Sequence, residues 1–229
     1  MFMTEDVKIV ALVPTRGDRH NMLSNMRRLM AMQTKQLHGM VVIDDAPKDP
    51  NVKDITYRYR TGLARIFEEY PDCDLVALIE DDDYYHPEYL NNMCYHWIQM
   101  GRPSTFGYGD TYYYHLGLKA KHYQLHRERS SAFTTFMTRD LLNMNWPADN
   151  HSFVDIDIWK QFPGVTITAE KPLAIGIKGY KEGAHFGGMG HNDKWSTYLK
   201  GPDPDLAWFR TMLDPESFKF YKSIIDNLE

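Results

Sequence analysis

Four consecutive acids, Glu80, Asp81, Asp82 and Asp83, close the apolar run in LVALIEDDDYYHPEYL, residues 75–90. Adjacent carboxylates repel one another, and four in a row gain nothing as turn formers, so strand termination alone does not account for them. A divalent cation would offset the repulsion. Asp81 and Asp83, two residues apart, can reach one hard ion, which takes carboxylate oxygens and keeps places for substrate phosphates. The competing reading is a solvated acidic loop. Two other runs carry polar groups in the same way: VKIVALVPTRGD ends in Thr15 and Arg16, and HGMVVIDDAP ends in Asp44 and Asp45. The glycine-rich GIKGYKEGAHFGGMGHND adds Lys178 and Lys181, followed by Lys194, all candidates for phosphate contacts.

These groups need elements to hold them. VKIVALVPT reads as a buried strand ended by Pro14. DRHNMLSNMRRLMAMQT places Met22, Leu23, Met26, Leu29 and Met30 at helical spacing, with Asp18 as the expected cap. HGMVVIDDAP reads as a second strand, TGLARIFEEY as a short amphipathic helix, CDLVALIEDDD as a third strand and HPEYLNNMCYHWIQM as a helix. Strand and helix alternate with short links, which predicts an α/β fold with an open, mostly parallel sheet covered by helices. Ligands of such sheets bind beyond the carboxyl ends of the strands, where all three polar ends converge. The second half is less regular. STFGYGDTYYYHLGL predicts a small antiparallel element, DIDIWKQF a helix, the glycine-rich run a loop or flap, and DPESFKFYKSIIDNL a closing helix.

Bulk composition narrows the partners. The chain has 229 residues and a net charge of −5, which excludes a molecule that is basic overall and binds polyanions generically. Two cysteines, Cys73 and Cys94, have neither metal-ligand spacing nor a disulfide framework, as expected of a reducing compartment. Neither a signal peptide nor a run of eighteen apolar residues occurs, so the expectation is a cytoplasmic protein without a membrane span. One domain over residues 1–229 is expected, with a nucleotide-type half (1–100) and an acceptor-type half (101–229) that carries the flap.

The order VALVPTRGDR, VVIDDAP, LVALIEDDDYYHPEYL resembles the GT-A glycosyltransferases, and within them the family 2-like enzymes, over about the first 95 residues. The short build and the GMGH sequence resemble bacteriophage-encoded members, which would place the protein in the host cytoplasm. The resemblance implies a nucleotide-sugar donor, UDP-sugar foremost, held by Thr15, Arg16, Asp44 and Asp45. It implies a D-x-D motif at Asp81, Asp82 and Asp83 whose first and third acids bind Mn2+ or Mg2+ bridging the diphosphate. Arg65 occupies the place of a basic residue in the helix before that strand. Asp155 in HSFVDIDIWKQF matches the acid that serves as base in an E-D-x-D-like segment, although Val154 stands in place of the Glu. His185 and His191 match the C-terminal histidine that completes the metal site, and imidazole suits Mn2+ better than Mg2+.

The acceptor side is expected in YYYHLGLKAKHYQLHRERSS. From Lys119 to Arg129 four Lys/Arg stand against one acid, interleaved with Tyr123, His122 and His126. Such a mixture suits phosphate contacts and base stacking, and Asp110 is a candidate for orienting a hydroxyl. Some bacteriophage glycosyltransferases modify hydroxymethylated pyrimidines in DNA, so the resemblance implies that acceptor, and this stretch would fit it. A glycan or a lipid-linked sugar is the alternative. A nucleotidyltransferase is the rival chemistry, but it would carry a glycine-rich, basic signature after the first strand, and PTRGDRH has one glycine. A non-catalytic carbohydrate-binding module is the rival class.

Overall fold

The computed structural model describes residues 4–46, 49, 52–180, 182 and 201–228. Strand β1 (Ile9–Pro14) is buried along its whole length and lies between β2 (Gly39–Ile43) and β3 (Leu75–Leu78), parallel to both. The connections are α1 (His20–Ala31) and α2 (Ile55–Glu69). Side chains alternate across β1. Ile9, Ala11 and Val13 join the core that takes Met22, Met26, Leu29 and Met30 of α1. Val10 and Leu12 join the core that takes Tyr59, Leu63, Ile66 and Phe67 of α2. A strand buried on both faces must be apolar throughout, which is why IVALVP shows no alternation. Gly62 lets α2 close on the sheet, because a Cβ there would lie 2.2 Å from Leu12 Cδ1.

The chain continues through β4 (Tyr84–Tyr85), α3 (Tyr89–Gln99), β5 (Thr105–Tyr108), β6 (Asp110–His115), β7 (Ala120–Leu125), β8 (Thr135–Met137), α4 (Val154–Gln161), β9 (Val165–Ile167) and β10 (Ala174–Lys178). It ends in β11 (Gly201–Pro202), α5 (Ala207–Met212) and α6 (Pro215–Asp226). The main sheet has the order β2-β1-β3-β8-β5-β9, with β8 alone running against the rest. The second sheet is β11-β7-β6-β10-β4, antiparallel except between β6 and β10. The expected α/β architecture is therefore present: an open, mostly parallel sheet flanked by helices, with a smaller, largely antiparallel element.

Three local expectations are corrected. Helix α1 begins at His20 with Arg19, not Asp18, in the capping position. The helix anticipated in TGLARIFEEY starts at Ile55, its first two turns hidden by buried Thr56 and Arg58, which break an apolar periodicity. STFGYGDTYYYHLGL is divided between sheets, β5 in the main one and β6 in the second. Among the described residues no helix is long and apolar enough to cross a membrane.

Candidate donor and metal site

The parallel strands of the main sheet deliver their carboxyl ends to one edge. After β1, Thr15 N donates to Ile43 O at 3.0 Å, tying the exits of β1 and β2 together. Gly17 follows at φ +74°, and a Cβ there would lie 2.8 Å from Asp44 O. Only glycine takes both this backbone conformation and this approach at low cost. Arg58, 1% exposed, fastens the same corner from α2. Its guanidinium donates to Ile43 O (2.9 Å), Asp45 O (2.8 Å), Asp54 Oδ2 (2.7 Å) and the carbonyl of Thr15. Thr15 is buried, while Asp44 and Asp45 are exposed beside it. Arg16 Nη1 donates to Val52 O at 2.9 Å. Thr15, Arg16, Asp44 and Asp45 thus gather at one corner. Arg65 lies apart, exposed and paired with Glu69 at 2.9 Å one turn along α2.

After β3 the chain turns through Glu80–Asp83 and reverses into β4, which pairs with β10. The Glu80 amide donates to Tyr85 Oη at 2.9 Å, which folds the turn back on itself. Asp81, Asp82 and Asp83 are all buried, at 1, 4 and 1% exposure. Two cations stand among them. Arg19 places Nη2 2.7 Å from Asp81 Oδ1 and Nη1 3.0 Å from Asp82 Oδ2. Lys178 Nζ lies 3.3 Å from Asp83 Oδ1, which also accepts from Ile177 N at 2.8 Å. Tyr180 donates to Asp82 Oδ2 at 2.8 Å. Burial raises the carboxyl pKa of Glu80, of Asp81 (to about 7) and of Asp83 (well above its usual range), with Lys178 or Arg19 pulling the other way.

Glu80, Asp82 and Asp83 each present one carboxylate oxygen, and the three atoms lie within 4.8 Å of one another. The grouping differs from the expected pair Asp81 and Asp83: Glu80 and Asp82 join Asp83, and Asp81 is turned to Arg19. The residues fit a divalent ion on two further grounds. Asp83 Oδ2 is buried without a hydrogen-bond partner among the described residues, as is the Tyr59 hydroxyl. Burial, then the fields of Glu80 and Asp155, hold the Tyr59 hydroxyl protonated. Four carboxylates also share only two cations, Arg19 and Lys178, and burial favours their protonated forms; a divalent ion would take the place of those protons.

Asp155 opens α4, and Arg129 Nη1 donates to its Oδ2 at 2.6 Å. Burial raises its pKa while Arg129 lowers it. Asp157 faces His151 at 2.8 Å. Asp110 accepts from Ala169 N at 3.1 Å, a structural role within the sheet rim. His185, His191, Lys181 and Lys194 lie outside the described residues. Sequence reasoning missed Arg19, Arg58, Tyr59 and Arg129. The second arginine of TRGDRH was the available signal for Arg19. Buried polar residues inside helical periodicity gave none for Arg58 and Tyr59.

Neither the family models nor the curated proteins contain a match to this chain. Among solved structures it is similar to a glycosyltransferase involved in the glycosylation of the major capsid of PBCV-1, at 11% identity and a TM-score of 0.38. That similarity covers 67% of this chain and 66%, just under two thirds, of the other.

Proposed function

We propose that the protein is a metal-dependent glycosyltransferase that moves a sugar from a nucleotide-sugar, a UDP-sugar foremost, to an acceptor hydroxyl. The observation that carries this reading is the convergence of Glu80, Asp82 and Asp83 at the carboxyl end of β3, flanked by partly buried Arg19 and Lys178. Acids and cations side by side suit a ligand that is itself an anion bound through a cation. Glu80, Asp82 and Asp83 would hold Mn2+ or Mg2+, which supplies Lewis-acid stabilisation of the leaving diphosphate. The corner at Thr15, Arg16, Asp44 and Asp45 would take the nucleoside. Arg19 and Lys178 add fixed positive charge where negative charge grows, a preorganised contribution that water cannot match.

In a direct displacement the acceptor oxygen forms a bond to the sugar's anomeric carbon as the bond to the diphosphate breaks. The hydroxyl proton passes to a base, and Asp155 has the attributes of one. Arg129 holds one of its oxygens in place, and a carboxylate with a raised pKa is the better proton acceptor. The acceptor we favour is a hydroxymethylpyrimidine in DNA, on the strength of the basic, aromatic β7 and the residues after it.

Release of UDP from UDP-glucose in the presence of Mn2+ tests the reading. Asp83→Asn keeps the shape of the side chain and should lower this rate by at least about a hundredfold. An unchanged rate in a folded variant would refute the assignment.

A further inference from the structure

A second concavity lies between the second sheet and α5, away from the acids. It is lined by Tyr112, Lys121, His122, Tyr123, Gly201 and Trp208 and has a volume of about 330 Å3, at the lower end of the ~300–1,000 Å3 of ligand pockets. The β6–β7 register pairs Tyr112 with Tyr123 and Tyr114 with Lys121. The two-residue period of a strand therefore puts these four on one face and Tyr113 on the other. Tyr113 is on the side of the acids, whose Asp83 and Glu80 act on its hydroxyl. The concavity belongs to the opposite face.

Its lining is specific in chemistry. The Tyr112 and Trp208 rings lie 6.4 Å apart and 21° from parallel, and Tyr123 lies 4.9 Å from Tyr112 at 57°. Lys121 Nζ stands 5.0 Å from the centre of the Trp208 ring. Sugars also stack on aromatic faces, but they need carboxylates or amides that pair with neighbouring hydroxyls as well, and none of the six residues carries such a side chain. Flat aromatic faces beside a cation suit a different ligand, an aromatic base joined to a phosphate.

The strand also leads somewhere. From Tyr123 the chain runs through Leu125 and Arg127 to Arg129, whose guanidinium holds Asp155. Six residues span at most ~20 Å at ~3.3 Å each. Tyr123 and Leu125 are 47% and 54% exposed along this path.

We propose that this concavity binds one nucleotide of a single-stranded nucleic acid, with the base against Tyr112, Tyr123 and Trp208 and the phosphate at Lys121. The residues from Lys121 to Arg129 then guide the strand round the edge of the sheet toward Asp155. That the strand is the acceptor rests on the proposed glycosyl transfer; that it binds does not.

Fluorescence anisotropy with a labelled oligothymidylate, about ten nucleotides long and at low salt, tests the binding. Tyr123→Ala should weaken it about tenfold, and Tyr123→Phe should restore it. Lys121→Gln should weaken it and reduce the slope of log affinity against log salt by about one. The melting temperature of each variant confirms that it is folded. Binding that neither Tyr123→Ala nor Lys121→Gln alters would overturn the proposal, as would displacement of the oligonucleotide by an equal concentration of neutral chitohexaose. Release of UDP by the unmodified protein is measured separately. Its absence would count against glycosyl transfer and leave the binding result standing.

Discussion

Arg19 reaches Asp81 and Asp82 from the loop after β1, and Lys178 reaches Asp83 from β10, so the acidic run carries part of its own counter-charge. The run was conspicuous in the sequence because like charges rarely stand together without a reason. Its partners were not, since Arg19 is 62 and 63 residues from Asp81 and Asp82, and Lys178 is 95 from Asp83. Glu80 had no assigned role from spacing. It gains one from the reversal of the chain into β4, a non-local pairing that D-x-D spacing does not encode. The charge state of these acids is testable. Burial holds the Asp81 carboxyl up at about 7, against ~3.9 in the unfolded chain. Between these values the folded state keeps a proton that the unfolded state has lost. This group's stabilisation is thus full below about pH 4 and gone once pH has risen through about 7. The raised values of Glu80 and Asp83 act in the same sense. Melting temperature in EDTA should therefore fall from about pH 4 to about pH 7, the ends of that window, and Mn2+ should restore most of it at the higher pH. A melting temperature that rises over that interval in EDTA would show that the acids do not carry this cost.

The elements that were easiest to read are those whose pattern is local. β1 and β3 are uninterrupted apolar runs, and α1 carries its apolar residues at helical spacing, so each was recognisable from a few consecutive residues. β8 and β9 are three residues each and exist because the main sheet offers them a neighbour, which no window of sequence contains. α2 illustrates the other difficulty. A buried arginine in its first turns looks like an error in an amphipathic pattern, yet Arg58 joins the ends of β1 and β2 through three carbonyls. Replacing it by Met should leave buried carbonyls unpaired. The expected cost is about 3 kcal/mol in urea unfolding, from ~1–3 kcal/mol for each unsatisfied buried group partly relieved by relaxation. UDP affinity should fall in the same variant while Mn2+ affinity changes little, because Arg58 orders the corner proposed for the nucleoside and not the acids. Titration of each ligand by calorimetry separates the two; equal loss of both would mean that Arg58 supports the fold only in general.

On the scale of the molecule, two sheets meet at the site. The main sheet brings the strand ends and the acids, and β10 of the second sheet brings Lys178 to Asp83. The alternation of strand and helix made the first sheet legible. The second depends on β10 lying parallel to β6 more than fifty residues away and on β4 crossing over from the end of β3. That junction is where an anionic ligand and a metal would bridge parts of the protein distant in sequence, so occupancy should stabilise the whole fold. The most direct test is thermal melting with UDP-, GDP- and ADP-sugars, each with and without Mn2+. A ligand at a hundred times its dissociation constant adds ~2.7 kcal/mol, which in a chain of this size raises the melting temperature by roughly 5–10 °C. Metal-dependent binding of a nucleotide-sugar should produce such a rise with at least one sugar nucleotide, UDP-sugars first, in the presence of Mn2+ and not in its absence. No rise with any of them, or a rise that is the same without metal, would contradict it.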